Sequence, residues 1–261
     1  MSPGTLLLIA SPFVGSWLAT LAVRLPEGEP TLRARSRCRS CGQRLAPRDL
    51  VPLLSWLVLR GRCRYCGGAV GAYYPLVELA ALAVAALAVA VESGPFVFIT
   101  CCLGWALLVL ALCDLRAFLL PDAIVLPLIP CGLAVAAFIA PEPGRTGAAI
   151  AEAHVIGAAL GYGVFTALGW AYRALRKREG LGAGDAKLMA ASGAWLGWQP
   201  LPLLVMLAAG TALAGALLAH RTLALGSLRM QKVPLGAPLA AAIFLFWLGR
   251  SWWEFYELSI P

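Results

Sequence analysis

Apolar residues run along this chain in long blocks rather than in alternation. Ala80–Val91 and Leu201–Leu218 contain no charge at all. A helix needs roughly 20 mostly apolar residues to cross a bilayer, and the blocks match that period far better than a strand pattern. The pattern predicts spans over 4–24, 73–92, 96–116, 121–140, 148–172, 185–198, 201–220 and 235–256. The sixth is short, and Gln199–Pro200 breaks it from the seventh, so the two read as full spans or as one bent or partial span. No internal repeat appears, only an enrichment in Ala, Leu and Gly that suits close helix packing in lipid.

Composition agrees. The 261 residues are 61% hydrophobic and 13% charged, with a mean hydropathy of +0.81. A soluble domain is usually about 25% charged, and one core of this size could not hide so much apolar surface. The expected fold is therefore an all-α polytopic membrane protein with about eight transmembrane helices, embedded in a lipid bilayer.

The net charge of +8 suggests nucleic acid until its distribution is considered. No aromatic and basic residues interleave as an RNA surface requires, so no nucleic-acid partner is expected. The first basic residue is Arg24, after the first apolar run. That is the wrong polarity for a secretory signal peptide and fits a first span whose N-terminus lies outside. The cytoplasmic loops would then be 24–72, 114–120, 173–187 and 220–234. They hold 19 of the 21 Lys and Arg, leaving only Arg145 and Arg250 elsewhere. Such asymmetry sets orientation, because basic loops are not readily translocated. Loss of the sixth span would flip the later loops and break the pattern.

The first loop carries Cys38, Cys41, Cys63 and Cys66, two CxxC pairs 21 residues apart. Four thiolates in two close pairs suit tetrahedral Zn²⁺. Gly42, Gly67 and Gly68 supply the tight turns that each knuckle needs. Two disulfides are the other reading, disfavoured in a reducing compartment. With four sulfurs the site is closed to water, so the zinc would be structural and would fold the loop. Cys101, Cys102, Cys113 and Cys131 lie in or near spans and read as packing residues.

Carboxylates in spans are costly and each needs a reason. Asp114 ends the third span in CDLRAFLLPD, and Asp185 opens the sixth in GLGAGDAKL. Both fall at the same membrane face in the topology above. Brought close, two such groups share a proton, so one can act as base on water and the other as acid. Plainer readings stand beside this: Asp114 paired with Arg116, and Asp185 capping its helix. Asp122, after Pro121, reads as a helix-start residue. Glu78, and Glu152 with its neighbour His154, lie deeper in apolar runs.

These motifs together resemble the type IV prepilin peptidases of bacteria, which are GxGD-type intramembrane aspartyl proteases. GSWLATLAVRLP (15–26), SRCRSCG (36–42), PLLSWLVLRGRCRYCGG (52–68), YPLVELA (74–80), CDLRAFLLPD (113–122) and GAGDAKL (182–188) follow the family's order along most of the chain. The resemblance implies Asp114 and Asp185 as the catalytic pair. It implies prepilin or pseudopilin substrates with a short basic leader, cleaved after glycine at the cytoplasmic face of the inner membrane, and a place beside a pilus or secretion machinery. It also implies N-methylation of the new N-terminus with S-adenosylmethionine. Three positions depart from the family pattern: Ala19 and Leu50 stand where Asn is usual, and Tyr73 where Arg is usual. All lie in the half linked to methyl transfer. No glycine-rich Rossmann pattern marks a place for the cofactor.

The expected organisation is a first transmembrane helix (1–24), a cytoplasmic zinc-binding loop domain (25–72) and a transmembrane aspartyl protease bundle (73–261). The rival from another class is a small proton- or cation-coupled transporter using Asp114 and Asp185. Against it, no pair of broken helices marks two related halves. A non-catalytic assembly protein of a secretion machine is a second rival.

Overall fold

A computed structural model of the chain describes residues 2–31, 35–138, 147–177, 180–223 and 234–250. The described residues are overwhelmingly helical, and their only β features are two isolated bridges. All eight expected spans are helices: α1 (Pro3–Glu27), α3 (Tyr73–Val91), α4 (Phe96–Ala117), α5 (Asp122–Phe138), α6 (Gly147–Arg176), α7 (Ala183–Leu196), α8 (Leu201–Leu223) and α9 (Gly236–Leu248). A five-residue helix, α2 (Leu54–Val58), lies in the first loop after a 3-10 turn at Pro47–Leu50. Five of these helices, α1, α3, α4, α6 and α8, are long and apolar enough to cross a membrane, and α5 and α9 are shorter apolar helices. The protein is thus an all-helical, polytopic membrane protein. Of the expected basic positions, Arg33, Arg145, Arg178, Arg229 and Lys232 lie outside the described residues, as do the expected span ends at 139–140 and 251–256.

The chain forms two compact units, Met1–Val109 and Leu110–Pro261. In the first, α1 packs along α3. The buried face of α3 repeats at Val77, Ala81, Ala85 and Ala88, three or four residues apart, and all but one are alanine. Small side chains let the backbones come close, the usual basis of helix association in lipid. Across from them α1 buries Ser11, Gly15, Leu18, Ala19 and Ala22. The start of α4 adds Cys101 against Ala85 and Ala88, and the Trp105 indole donates to the Ala81 carbonyl at 3.1 Å.

In the second unit α7 is the central element. It packs on α5, α6 and α9, and Leu188–Trp195 is buried without interruption. A helix of 14 residues is about 21 Å long, shorter than the bilayer core of about 30 Å, and here it is enclosed by its neighbours. Gly197, with φ 76° and ψ −174°, ends it before Pro200 and α8, which is the break expected at Gln199–Pro200. The α6–α7 contact is backbone on backbone. A Cβ at Gly193 would run into the main chain of Gly157, and one at Gly161 into that of Met189. Trp195 closes the far end of α7, its indole N–H donating to Leu128 O at 2.8 Å and its ring edge-on to Trp247.

Gly193→Ala should therefore destabilise the bundle, by about 1–3 kcal/mol as overpacking does. Gly210→Ala, on α8 where a Cβ would meet nothing within 4 Å, should be neutral or slightly stabilising. Thermal unfolding of both variants in one detergent measures the contrast, and equal melting temperatures would contradict this packing.

Candidate active site and metal centre

Asp114 sits near the C-terminal end of α4, and Phe118, with φ 52°, then turns the chain out of the helix. The short link 119–121 leads into α5, whose first residue is Asp122. Asp114 is only 5% exposed. Burying a carboxylate is costly unless a donor meets it, and the donor is the main-chain N–H of Ala237, 2.8 Å from Oδ2. Ala237 lies in the first turn of α9, where N–H groups have no partner inside the helix. The approach needs Gly236, because a Cβ there would stand 3.0 Å from the Asp114 Cγ and Oδ2.

Asp185 is the third residue of α7. Its Oδ2 accepts the N–H of Gly182, the N-cap, at 3.2 Å. The capping role is real, and it does not compete with a place in the site. The same carboxylate lines an open cleft of about 460 Å³ together with Asp114 and Asp122. Leu120, Pro121 and the Gly182–Gly184 backbone form its walls. Asp114 is close enough for its charge to act on Asp185. Gly184 lets the start of α7 approach the 119–121 link, since a Cβ there would lie 3.0 Å from Leu120 Cβ. Two carboxylates from separate helices facing one water-accessible cleft can hold and exchange a proton between them.

Asp122 is the helix-start residue that its position after Pro121 implies, and it has a partner the sequence did not reveal. Lys187 Nζ lies 2.7 and 2.8 Å from its two oxygens. This pair ties the start of α5 to the start of α7, two residues beyond Asp185. Lys187 entered the sequence reading only as one more basic loop residue, and its place in the same short motif as Asp185 was the available signal. Gly236 and Ala237 were missed altogether, because nothing local distinguishes a glycine at the head of an apolar run.

The other acidic candidates are not among the residues that line this cleft. Glu78, 5% exposed on α3, accepts the N–H of Leu53 at 2.7 Å. Glu152 is exposed on α6. His154 directs Nδ1 to the Ala194 carbonyl of α7 at 3.0 Å, a link between helices.

In the first unit, Cys38, Cys41, Cys63 and Cys66 come together with all four sulfurs within 4.8 Å of one another. The two knuckles share one hydrogen-bond pattern. Cys38 N–H donates to Gln43 O and Gly42 N–H to Cys38 O; Cys63 N–H donates to Gly68 O and Gly67 N–H to Cys63 O. Gly42 and Gly67 take φ of 71° and 68°, the conformation the turn demands. None of the eight cysteines forms a disulfide. Cys38 and Cys66 are 3.9 Å apart, near the spacing of about 3.8 Å that a tetrahedral Zn–S bond of about 2.3 Å implies. Main-chain N–H groups of Cys41 and Ser40 lower the Cys38 thiol to about 6, while Cys66 in the same cluster is raised to about 11, so the sulfurs titrate together; the thiolate is the metal-binding form. The donor set fits a tetrahedral metal ion. Cys101 and Cys113 are buried, whereas Cys102 and Cys131 are exposed on their helices.

Fold and cleft together define a polytopic helical membrane protein with a pair of carboxylates from two helices and a separate tetrathiol cluster. Residues 9–92 match the Bacterial Peptidase A24 N-terminal domain, and residues 101–219 match the Type IV leader peptidase family. The chain belongs to the Type IV leader peptidase family. It is 40% identical over 223 residues to the prepilin leader peptidase/N-methyltransferase of Aeromonas hydrophila, covering 84% of this chain and 71% of that protein. Against the protein of that name in Aeromonas salmonicida (strain A449), identity is 41% over 230 residues, covering 87% and 75%. Against its counterpart in Burkholderia pseudomallei (strain 1026b), identity is 40% over 240 residues, covering 87% and 74%. No solved structure matches the chain. None of these matches supports the transporter reading. Two of the three departures from the family pattern meet in the first unit, where the Tyr73 hydroxyl donates to the Ala19 carbonyl at 3.2 Å.

The Asp122–Lys187 pair is part-exposed, so its coupling should be modest. A double-mutant cycle of Asp122→Asn and Lys187→Gln, followed by thermal unfolding, should give about 0.2–1 kcal/mol. A coupling of zero would remove the pair from the list of links between α5 and α7.

Proposed function

We propose that this chain is a prepilin leader peptidase. It hydrolyses the leader of prepilins or pseudopilins after glycine, with Asp114 and Asp185 as the catalytic dyad. The observation that carries this is the single cleft in which both carboxylates stand. One carboxylate takes a proton from water as the water oxygen attacks the scissile carbonyl carbon. The other gives its proton to the carbonyl oxygen. Collapse of the tetrahedral species breaks the C–N bond: the proton gained by the first passes to the leaving amine, and the second takes back a hydroxyl proton as the new carboxyl group forms. A basic leader would remain in the cytoplasm while the apolar pilin helix lies in lipid, so the scissile bond meets the dyad at the membrane boundary. The charge distribution supports an outside N-terminus in the inner membrane, with loops 24–72, 114–120 and 173–187 in the cytoplasm.

The cluster of Cys38, Cys41, Cys63 and Cys66 would hold Zn²⁺, giving the 25–72 loop a fold of its own beside the 73–261 protease bundle. The named relatives are also N-methyltransferases. We extend that activity to this chain as S-adenosylmethionine-dependent methylation of the new N-terminus, working beside a pilus or secretion machinery. Mass spectrometry of the processed substrate, with the cofactor supplied, reports cleavage site and methylation together; an unmodified amine would count against the second activity.

Asp114→Asn and Asp185→Asn should each abolish cleavage of a prepilin peptide in detergent, at normal membrane abundance, because an amide cannot accept or return the proton. Asp122→Asn should retain measurable activity. Loss of cleavage in Asp122→Asn with activity kept in Asp114→Asn would reverse the assignment of the first aspartate.

Protein purified without chelator should contain one Zn²⁺ per chain by elemental analysis. Cys38→Ser with Cys41→Ser should lose the metal and destabilise the loop while leaving Asp114 and Asp185 in place. Metal-free protein of full stability would defeat the assignment.

A further inference from the structure

The loop helix α2 presents three apolar side chains outward. Leu54, Leu57 and Val58 are 61%, 62% and 73% exposed, at the i, i+3, i+4 spacing of one helical face. Leu50, at the end of the preceding 3-10 turn, is exposed as well. The opposite face is anchored. The Trp56 indole N–H donates to Val70 O at 3.0 Å and its ring lies against Gly61. The outward leucines are therefore held out by construction.

A second observation ties α2 to a candidate membrane-spanning helix. Leu53 adopts φ 60° and ψ −52°, a strained turn closed by Leu54 N–H to Pro52 O. The turn aims the Leu53 N–H at Glu78, with 2.7 Å between the nitrogen and Oε2. Glu78 lies five residues into α3, a helix long and apolar enough to span the membrane. At 1.5 Å per residue it stands about 7 Å beyond the start of that helix. The N-terminus of α2 is thus tied to the first turns of α3, not to the far end of a solvated loop. Exposed leucines at that level face the headgroup–acyl boundary.

Charge selects the occupant. The segment 24–72 holds ten arginines and three carboxylates. Arg48 and Arg60 flank the apolar face and are exposed, whereas Arg64 is taken by Asp49 at 2.7 Å. A basic leader peptide or a second copy of this loop would meet like charge. Anionic phospholipid meets opposite charge and apolar surface together.

We propose that α2 is an interfacial anchor. It seats Leu54, Leu57 and Val58 among the acyl chains of an anionic leaflet, with Arg48 and Arg60 on the phosphates and Glu78 holding the segment at that depth.

The test uses the full-length protein in nanodiscs of phosphatidylcholine alone or mixed with phosphatidylglycerol. p-Benzoylphenylalanine replaces Leu57, and Leu54 in a second variant, and adducts formed on irradiation are identified by mass. Phospholipid adducts should form at both positions, with phosphatidylglycerol favoured above its share of the mixture. Arg60→Gln in the same background should reduce that preference about fivefold, the effect of one basic residue near an anionic surface. Monodisperse protein giving no lipid adduct at either position would overturn the proposal. So would transfer of the adduct to an added prepilin peptide, or lipid adducts with no headgroup preference.

Discussion

A carboxylate cannot be carried into an apolar helix bundle unless a donor waits for it. In the second unit that donor is the first turn of α9, and much of the local architecture follows from the meeting. Asp114 has to lie where α4 ends, Gly236 has to lack a side chain, and the link after Phe118 has to turn away so that water reaches the same carboxylate. Asp185 solves the same problem differently, with a main-chain N–H of its own N-cap. Each acid is therefore held by backbone rather than by a basic side chain. A neighbouring cation would have favoured permanent ionisation of its partner; Lys187, two residues beyond Asp185, is instead engaged by Asp122.

The first unit works on a different physical footing. Its loop is too short and too polar to build an apolar core, and four sulfurs supply the cross-link that burial cannot. Two knuckles with the same hydrogen bonds bring the thiols together. Beyond the knuckles, the loop is pinned to the membrane helices through Glu78, a buried acid serving structure. The contrast with Asp114 is instructive: both acids are buried to the same degree and both accept one main-chain N–H. What separates them is the open cleft and the second carboxylate beside Asp114.

Much of this was legible in the chain itself. The eight apolar blocks became eight helices because helical burial in lipid depends on local composition, which a sequence displays directly. The CxxC pairs announced their cluster for the same reason: ligand spacing is local, and glycines mark the turns. That Asp114 and Asp185 would line one cleft was legible through motif order. Contacts between distant segments were not. Nothing in the run from Leu235 says that Gly236 faces Asp114, 122 residues away in the chain, and nothing beside Pro121 says that Asp122 meets Lys187. Likewise, Glu78 stood out as an acid needing a reason, but its reason lay in a strained turn at Leu53, where a leucine gives no local warning of a positive φ. Capping and site membership also looked like competing readings of Asp185, and the structure shows one carboxylate fulfilling both.

The donor to Asp114 belongs to the main chain, and that has a genetic consequence. Any side chain can be exchanged by a single codon change, but an N–H survives every substitution at 237 except proline. The hydrogen bond to this acid thus does not depend on the side chain of the residue that provides it, which is constrained by burial instead. Its vulnerability is displaced one position upstream, to Gly236, where every replacement adds an atom against the carboxyl. A saturation scan of this corner would read Gly236 as limited by the carboxyl beside it and Ala237, itself buried, as limited only by the space around its side chain, although Ala237 makes the hydrogen bond.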